Sequence, residues 1–177
     1  MKTKDLVICS LFAAITVILA QISIPFPGGV PLTMQTLAVS LCGIILGSKR
    51  GFISQCIYVL LGAIGLPVFA SFSGGAQIIF GPTGGFILSF PIMAYIIGFI
   101  CERSDNKALI IFSMILGSVV NYFIGTVHFV LITKMTMLEA FLVCVAPFIV
   151  TGLVKSLIAA VIGIRLKKNI SMQGVLE

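Results

Sequence analysis

Lys155 is the residue whose type and position point most directly to chemistry. It is the only charged residue in the apolar stretch Ala140–Ile164. A cation near the middle of a membrane helix costs about 2.5–3.5 kcal/mol to insert, so such a residue is a candidate for function. The roughly nine residues that follow it would span about 14 Å of helix, too far for its side chain to reach water. An anionic ligand, such as a small carboxylate, would compensate the charge. The alternatives are compensation by carbonyl groups and water, or loss of the proton.

Thr151 and Pro147 precede Lys155 at intervals of four residues. In a helix this spacing places all three on one face, which can look into a bundle. Thr151 is therefore a candidate ligand contact. For Pro147 alone, a tolerated kink in a membrane helix is the alternative.

The segment from Phe72 to Gly85 contains two glycine pairs, Gly74-Gly75 and Gly84-Gly85. Glycine adopts backbone angles closed to other residues and lets another group approach closely, so the N–H groups here could contact a polar ligand. Tight turns between spans are the alternative. The P-loop pattern Gly-x-x-x-x-Gly-Lys-[Ser/Thr] does not occur in the sequence, so we expect no ATP hydrolysis by this chain alone.

Three further polar residues lie in apolar surroundings. Gln35 is a candidate ligand contact or an interfacial residue, and Asn121 and Tyr122 could line a pocket or bridge helices. His128 has no second metal ligand at a suitable spacing and is expected to pack. We predict no catalytic residues, no cofactor and no metal, because no catalytic triad, paired carboxylates or zinc motif is present. The cysteines are scattered singly and are expected to be inert: Cys9, Cys42, Cys56, Cys101 and Cys144.

Composition identifies the elements that must position these residues. Of the 177 residues, 59% are hydrophobic and only 9% are charged, against about 25% charged in soluble domains. The fold class is therefore predicted to be all-α, a single integral membrane domain over 1–177 with six transmembrane helices. The acidic residues before the C-terminal tail lie at predicted span ends, so none is an evident counter-ion for Lys155. The predicted spans are Leu6–Ile24, Leu32–Gly47, Gly51–Ile64, Gly85–Ile100, Leu109–Thr133 and Ala140–Ile164.

Charge predicts the orientation of these spans. With six spans, most of the 11 basic residues fall on one side, and the positive-inside rule places both termini in the cytoplasm. They are not interleaved with exposed aromatic residues, so no nucleic-acid partner is expected despite the net charge of +6. A cleaved signal peptide is the alternative for the first run, but no small-x-small cleavage site ends it. On the opposite side, the connections Ile24–Pro31 and Gly65–Gly84 carry no charge, so we expect them to fold inward as a lid where a ligand enters.

The sequence resembles the biotin-specific BioY family, the substrate-capture components of energy-coupling-factor (ECF) vitamin transporters. The resemblance covers roughly Ser10 to Arg165. Its most specific stretches are Val30-Pro-Leu-Thr-Met-Gln-Thr-Leu37, Gly65-Leu-Pro-Val-Phe-Ala70, Ser73-Gly-Gly75 and Gly81-Pro-Thr-Gly-Gly85.

This resemblance implies a multi-pass protein of the bacterial cytoplasmic membrane that captures biotin with high affinity at the outer face. It implies as partners the lipid bilayer, a transmembrane coupling subunit and a pair of ATP-binding-cassette ATPases. Ser10 and Ala14, a small-x-x-x-small pair that lets another helix approach closely, would form the docking face for the coupling subunit. The implied pocket positions are Gln35, Ser73, Gly74, Gly75, Gly84, Gly85, Tyr122 and Lys155.

The sequence departs from the family pattern at two positions. The family commonly has Pro-Phe-x-x-x-Asp-x-x-Lys on the last helix, whereas here Gly152 stands at the position of the acid. His128 stands where a tryptophan is frequent. The alternative functions are a stand-alone carrier or channel for another small organic anion or vitamin and, less favoured because no catalytic constellation is present, a membrane enzyme.

Overall fold

The computed structural model describes residues 3–26 and 28–172, and most of this part of the chain is helical. Two-residue strands β1 (Ser23–Ile24) and β2 (Leu32–Thr33) pair antiparallel. Short 3-10 turns occupy Ala70–Phe72 and Ala146–Phe148. The helices are α1 (Thr3–Ala20), α2 (Gln35–Ala63), α3 (Ala76–Ile79), α4 (Gly84–Leu88), α5 (Phe90–Cys101), α6 (Lys107–Thr133), α7 (Met137–Cys144) and α8 (Ile149–Met172).

Five helical segments of the described chain are long and apolar enough to cross a membrane. Two of them are composite. Helices α4 and α5 follow one another at Ser89 and form one segment, and α7 and α8 form another on either side of the turn that contains Pro147. The five segments are Thr3–Ala20, Gln35–Ala63, Gly84–Cys101, Lys107–Thr133 and Met137–Asn169.

Helix α2 folds back on itself at Gly47, which has φ 80° and ψ −171°. This conformation is open to glycine and closed to most other residues. The two halves then run antiparallel, because the Gln35 side chain reaches the Tyr58 hydroxyl (2.6 Å) and the Cys42 thiol reaches the Gly51 carbonyl (3.8 Å). At 1.5 Å per residue the halves are about 18 and 24 Å long. The bundle therefore has six transmembrane segments, as predicted.

Glu102, at the end of α5, holds this turn in place. One carboxylate oxygen accepts a hydrogen bond from the Ser48 backbone N–H (2.8 Å) and the other accepts one from the Ser48 hydroxyl (2.8 Å). A Cβ at Gly47 would collide with the same carboxylate. Residue 47 must therefore lack a side chain both for its backbone angles and for the approach of Glu102.

Polar side chains lie inside the bundle and apolar ones outside. Gln55, Asn121 and Thr16 are at most 1% exposed, whereas Phe123 and Val150 are 66% and 70% exposed. A water-soluble protein shows the opposite distribution. The outer surface is suited to lipid, and the buried polar groups are available to bridge helices or bind a ligand.

Most basic side chains lie at one end of the bundle. Arg50 pairs with Asp5 (2.8 Å), which brings the start of α1 to the turn of α2. Lys167 contacts the Cys101 carbonyl (2.7 Å) and Asp105 (3.2 Å), which brings the last turns of α8 to the α5–α6 connection. The start of α1 and the end of α8 thus share this end. Its assignment to the cytoplasm stays a prediction of the positive-inside rule.

Candidate functional site

A cavity of about 330 Å³ lies at the opposite end, beneath the two uncharged connections. This volume is at the lower end of the range of about 300–1,000 Å³ typical of small-molecule sites. Its wall is mainly apolar, with a few polar groups. The lining residues are Gly29, Val30, Pro31, Leu32, Thr33, Gln35, Thr36, Phe69, Ala70, Ser71, Ser73, Ile78, Thr83, Phe86, Ile87, Phe90, Asn121, Tyr122, Cys144, Phe148 and Lys155.

The connection after α1 forms one part of the roof. The β1–β2 pair holds its two ends together, and the Phe26 ring packs edge-on against the Phe148 ring with 5.3 Å between centroids. Gly28 lies so close to Val143 that a Cβ there would collide with the valine side chain. This connection therefore rests on the corner between α7 and α8.

The connection after α2 forms the other part of the roof and is tied to α1 by Gln21. The Gln21 amide donates to the Phe69 carbonyl (3.2 Å) and accepts from the Phe72 backbone N–H (2.8 Å). Between these bonds, Ser71 and Phe72 adopt φ values of 56° and 54°, a conformation that disfavours residues with a Cβ. Gln21 thus stabilises a strained turn whose residues line the cavity.

Lys155 enters the cavity from α8. Its ammonium nitrogen donates to the Thr33 backbone carbonyl at 3.1 Å. Within the described chain it forms no ion pair, and the two salt bridges there involve other residues. A neutral carbonyl therefore compensates part of the lysine charge, and an anion in the cavity would compensate the rest.

Gln35 lies on the same side of the cavity in a chain of hydrogen bonds. Its amide nitrogen donates to the Tyr58 hydroxyl (2.6 Å), which donates to the Val68 carbonyl (3.1 Å). Its amide oxygen accepts from the Thr33 hydroxyl (2.9 Å). These bonds fix the orientation of the amide and leave one of its N–H groups available to a ligand.

Asn121 presents an acceptor from α6. Its amide nitrogen donates to the Phe86 carbonyl (2.9 Å) and to the Ser89 hydroxyl (2.7 Å), which together use both N–H groups. The amide oxygen is buried and has no hydrogen-bond partner in the described structure. An unpaired buried oxygen is costly, so it suits a ligand that brings an N–H group.

Tyr122 and Thr151 meet at one backbone carbonyl. The Tyr122 hydroxyl donates to the Phe148 carbonyl at 3.2 Å, and the Thr151 hydroxyl donates to the same oxygen at 3.1 Å. Tyr122 lines the cavity, whereas Thr151 is not among its lining residues. Thr151 therefore contacts the cavity wall indirectly, by bonding the same Phe148 carbonyl that Tyr122 bonds.

The first glycine pair shapes the roof and is not among the lining residues. Ser73 does line the cavity, and its hydroxyl donates to the Ala70 carbonyl (2.7 Å). The Gly75 N–H bonds the Gly62 carbonyl (2.7 Å), and a Cβ at Gly74 would collide with the backbone of the same connection. Both glycines serve close backbone packing.

The second glycine pair lies at the start of α4. A Cβ at Gly84 would collide with the Ile79 carbonyl, and a Cβ at Gly85 would collide with the His128 side chain of α6. Neither glycine is among the lining residues, although Thr83 just before them is. Gly84 thus lets α4 pack closely on the end of α3, and Gly85 lets it approach α6. His128 packs there with its Nδ1 buried and without a partner in the described structure.

The sequence analysis missed three lining residues, Thr33, Phe86 and Phe90. It also missed two residues that hold lining side chains from behind the wall. Tyr58 bonds Gln35, and Ser89 bonds Asn121. Thr33 acts through its backbone carbonyl, which every residue has. Tyr58, Phe86 and Phe90 resemble lipid-facing aromatics in an apolar run, so single-residue patterns do not separate them. Ser89 was detectable only as a polar residue before Pro91.

Ser10 and Ala14 lie on an exposed face of α1. Exposed apolar side chains, among them Leu11 and Ile18, surround them. Within the described residues, no group of three His, Cys, Asp or Glu side chains could hold a metal ion, and the five cysteines are free thiols.

The fold and the cavity together define a helical membrane protein with a small-molecule site at one end of its bundle. Comparison with known sequences then gives the family: the chain belongs to the BioY family, whose sequence profile matches residues 1–172. A probable biotin transporter BioY from Pyrococcus horikoshii is 43% identical over 169 residues, 96% of this chain and 99% of the relative. The biotin transporter BioY of Thermotoga maritima is 41% identical over 166 residues, 93% and 96% of the two chains.

A solved structure agrees with this relationship. The crystal structure of an S-component for biotin from an ECF-type ABC transporter matches with a TM-score of 0.88, 27% identity and coverage of 95% of both chains.

Proposed function

We propose that this chain is the biotin-capturing membrane subunit of an ECF-type transporter. Its relatives are biotin transporters, and the matching structure is an S-component for biotin. The observation that carries the proposal is Lys155, a cation in a roofed apolar cavity, with a carbonyl as its hydrogen-bond partner in the described structure. Biotin carries a carboxylate that can complete this partnership.

The polar groups of biotin match the hydrogen-bond donors and acceptors that remain available in the cavity. The carboxylate pairs with the Lys155 ammonium. The ureido group offers two N–H donors and one carbonyl acceptor, which suit the free Asn121 oxygen and the remaining Gln35 N–H. The apolar ring system packs on Phe86 and Phe90. The pairing gains strength in a mainly apolar site, where the effective dielectric constant is lower than in water.

The other predicted contacts complete the wall and its support. Tyr122 and Ser73 line the cavity and contact the ligand. Thr151 and the glycines hold the wall and the roof in shape from behind: Gly74, Gly75, Gly84 and Gly85.

The chain binds its ligand and is not an enzyme. Import requires energy, and as part of an ECF-type assembly the chain works with a transmembrane coupling subunit and a pair of ATPases. We assign docking of the coupling subunit to the exposed α1 face around Ser10 and Ala14, where small side chains allow a second helix to approach closely. Gln21 at the end of this helix connects the docking face to the roof.

The proposal is tested by titrating the detergent-purified protein with biotin, thiamine and riboflavin in a calorimeter. We expect saturable binding of biotin and no binding of the other two vitamins. A folded preparation that ignores biotin would contradict the proposal. Vesicles containing this polypeptide alone, and vesicles that also contain the coupling subunit and ATPases, separate the capture subunit from a stand-alone carrier. ATP-driven uptake is expected only with the full assembly.

A further inference from the structure

Tyr122 separates the ligand cavity from a second one. This second cavity is a groove of about 460 Å³ formed by residues of α6, α7 and α8. Apolar side chains such as Phe123, Phe141 and Leu153 dominate its lining, and all three are exposed at the outer surface of the bundle. Among the described residues, Tyr122 alone belongs to the linings of both cavities. Its ring is the wall between the ligand and the lipid-facing side.

The position of this ring depends on the space at Gly152, on α8. The Tyr122 hydroxyl reaches across to the Phe148 carbonyl at 3.2 Å. A Cβ at Gly152 would lie 2.5 Å from that hydroxyl oxygen, a distance that real Cβ contacts essentially never show. The next atom of the ring, Cζ, would be 3.6 Å away, an ordinary van der Waals distance. The conflict is therefore confined to one oxygen atom.

We propose that Gly152 is a positioning residue for ligand binding, because its missing side chain lets the Tyr122 hydroxyl bond Phe148 and keeps the ring as the wall of the cavity. This inference rests on the proposed function. It adds Gly152 as a residue that affects the ligand only through Tyr122. A side chain at position 152 displaces the hydroxyl, breaks its hydrogen bond and shifts the ring. The cavity then changes shape or opens toward the groove.

The test is a double-mutant cycle with Gly152→Ala, Tyr122→Phe and both together. Biotin affinity and the melting temperature without ligand are measured for each. Overpacking of this kind should weaken biotin binding by about tenfold or more in Gly152→Ala and lower its melting temperature. Alanine otherwise favours a helix over glycine, so the loss would be steric.

In the Tyr122→Phe background the obstructing oxygen is absent. The same Gly152→Ala change should then leave biotin affinity within about threefold of Tyr122→Phe, the residual scatter expected of an uncoupled substitution. The melting temperature should stay equal or rise. Gly51→Ala is the matched control, because a Cβ there would be 3.5 Å or more from its neighbours. It should retain both wild-type values.

Losses that add in the double variant, or wild-type biotin affinity in Gly152→Ala, would overturn the proposal. If Gly152→Ala alone cannot be purified folded, recovery in the double variant supports the pair, and failure of the double variant contradicts it. Absence of biotin binding by the wild-type protein would instead overturn the proposed function. The ligand-free melting temperatures would still test the contact between positions 122 and 152.

Discussion

The ammonium nitrogen of Lys155 lies 3.1 Å from the backbone carbonyl oxygen of Thr33, a residue 122 positions earlier in the chain. This bond joins α8 to the strand that leads into α2. It uses one of the three N–H donors of the ammonium group and leaves the others available in the cavity. The Thr33 carbonyl therefore compensates part of the lysine charge and fixes the position of the ammonium group.

Asn121→Ala is predicted to weaken biotin binding by about 5- to 150-fold, which corresponds to about 1–3 kcal/mol for a buried acceptor and its partners. The change removes the free amide oxygen and the two hydrogen bonds that the amide nitrogen donates to the Phe86 carbonyl and the Ser89 hydroxyl. The Ser89 hydroxyl still donates to the Phe86 carbonyl at 2.9 Å. Calorimetric titration measures the effect.

Asn106→Ala is the control on the same helix. The Asn106 side chain caps the first turn of α6 by accepting from the Ala108 N–H (2.9 Å). Its loss should cost about 1 kcal/mol of stability and leave biotin affinity unchanged. Equal affinity losses in the Asn121 and Asn106 variants would contradict the assigned role of Asn121.

Gln21→Ala is predicted to speed biotin dissociation by about tenfold, because two hydrogen bonds between α1 and the roof are lost, each worth about 1 kcal/mol. Stopped-flow displacement of a fluorescent biotin derivative measures the rate. Gln77→Ala is the comparison variant, since the Gln77 amide bonds only the nearby Gly74 carbonyl (2.6 Å) and does not reach α1. A dissociation rate in Gln21→Ala no faster than in Gln77→Ala would show that the hydrogen bonds of Gln21 do not hold the roof.

Glu102→Ala is predicted to lower stability by about 1–3 kcal/mol, because both hydrogen bonds from its carboxylate to Ser48 at the α2 turn are lost. Biotin affinity at the far end should not change. Asp105→Ala is the control, because its carboxylate is 94% exposed and its pairing with Lys167 contributes little. Thermal unfolding in detergent distinguishes the two variants. Equal melting temperatures would be evidence against a role for Glu102 in holding the α2 turn.

The sequence was sufficient to predict the helical membrane fold and its six segments. It also singled out Lys155, which lines the cavity in the structure, and ligand binding by this lysine stays a prediction. Long apolar runs indicate directly that a segment crosses the membrane. A cation inside such a run stands out because inserting it into the bilayer costs much free energy. The lack of charge in the two connections also predicted that they fold inward, and the structure places them over the cavity. The predicted contacts Gln35, Ser73, Asn121 and Tyr122 are lining residues in the structure, and ligand binding by each stays a prediction.

The rest depends on contacts between distant residues. The sequence predicted separate spans ending at Gly47 and starting at Gly51, but it did not indicate that Glu102 holds the turn between them. Tyr58 resembles any aromatic residue in an apolar run, and only the fold brings its hydroxyl to Gln35. The hydrogen bonds from Gln21 to the roof and the contact between Tyr122 and Gly152 also depend on how separate helices pack. The spacing of residues along one sequence does not predict such contacts.

The most direct measurement compares biotin with its methyl ester on the wild-type protein and on Lys155→Met, with Lys134→Met as the control lysine. We expect the wild-type protein and Lys134→Met to prefer the free acid by about tenfold or more, the value of a charged hydrogen bond. Lys155→Met should bind acid and ester equally and weakly. Equal affinity of the wild-type protein for acid and ester, or a preference for the acid that survives in Lys155→Met, would contradict capture of the ligand carboxylate by Lys155.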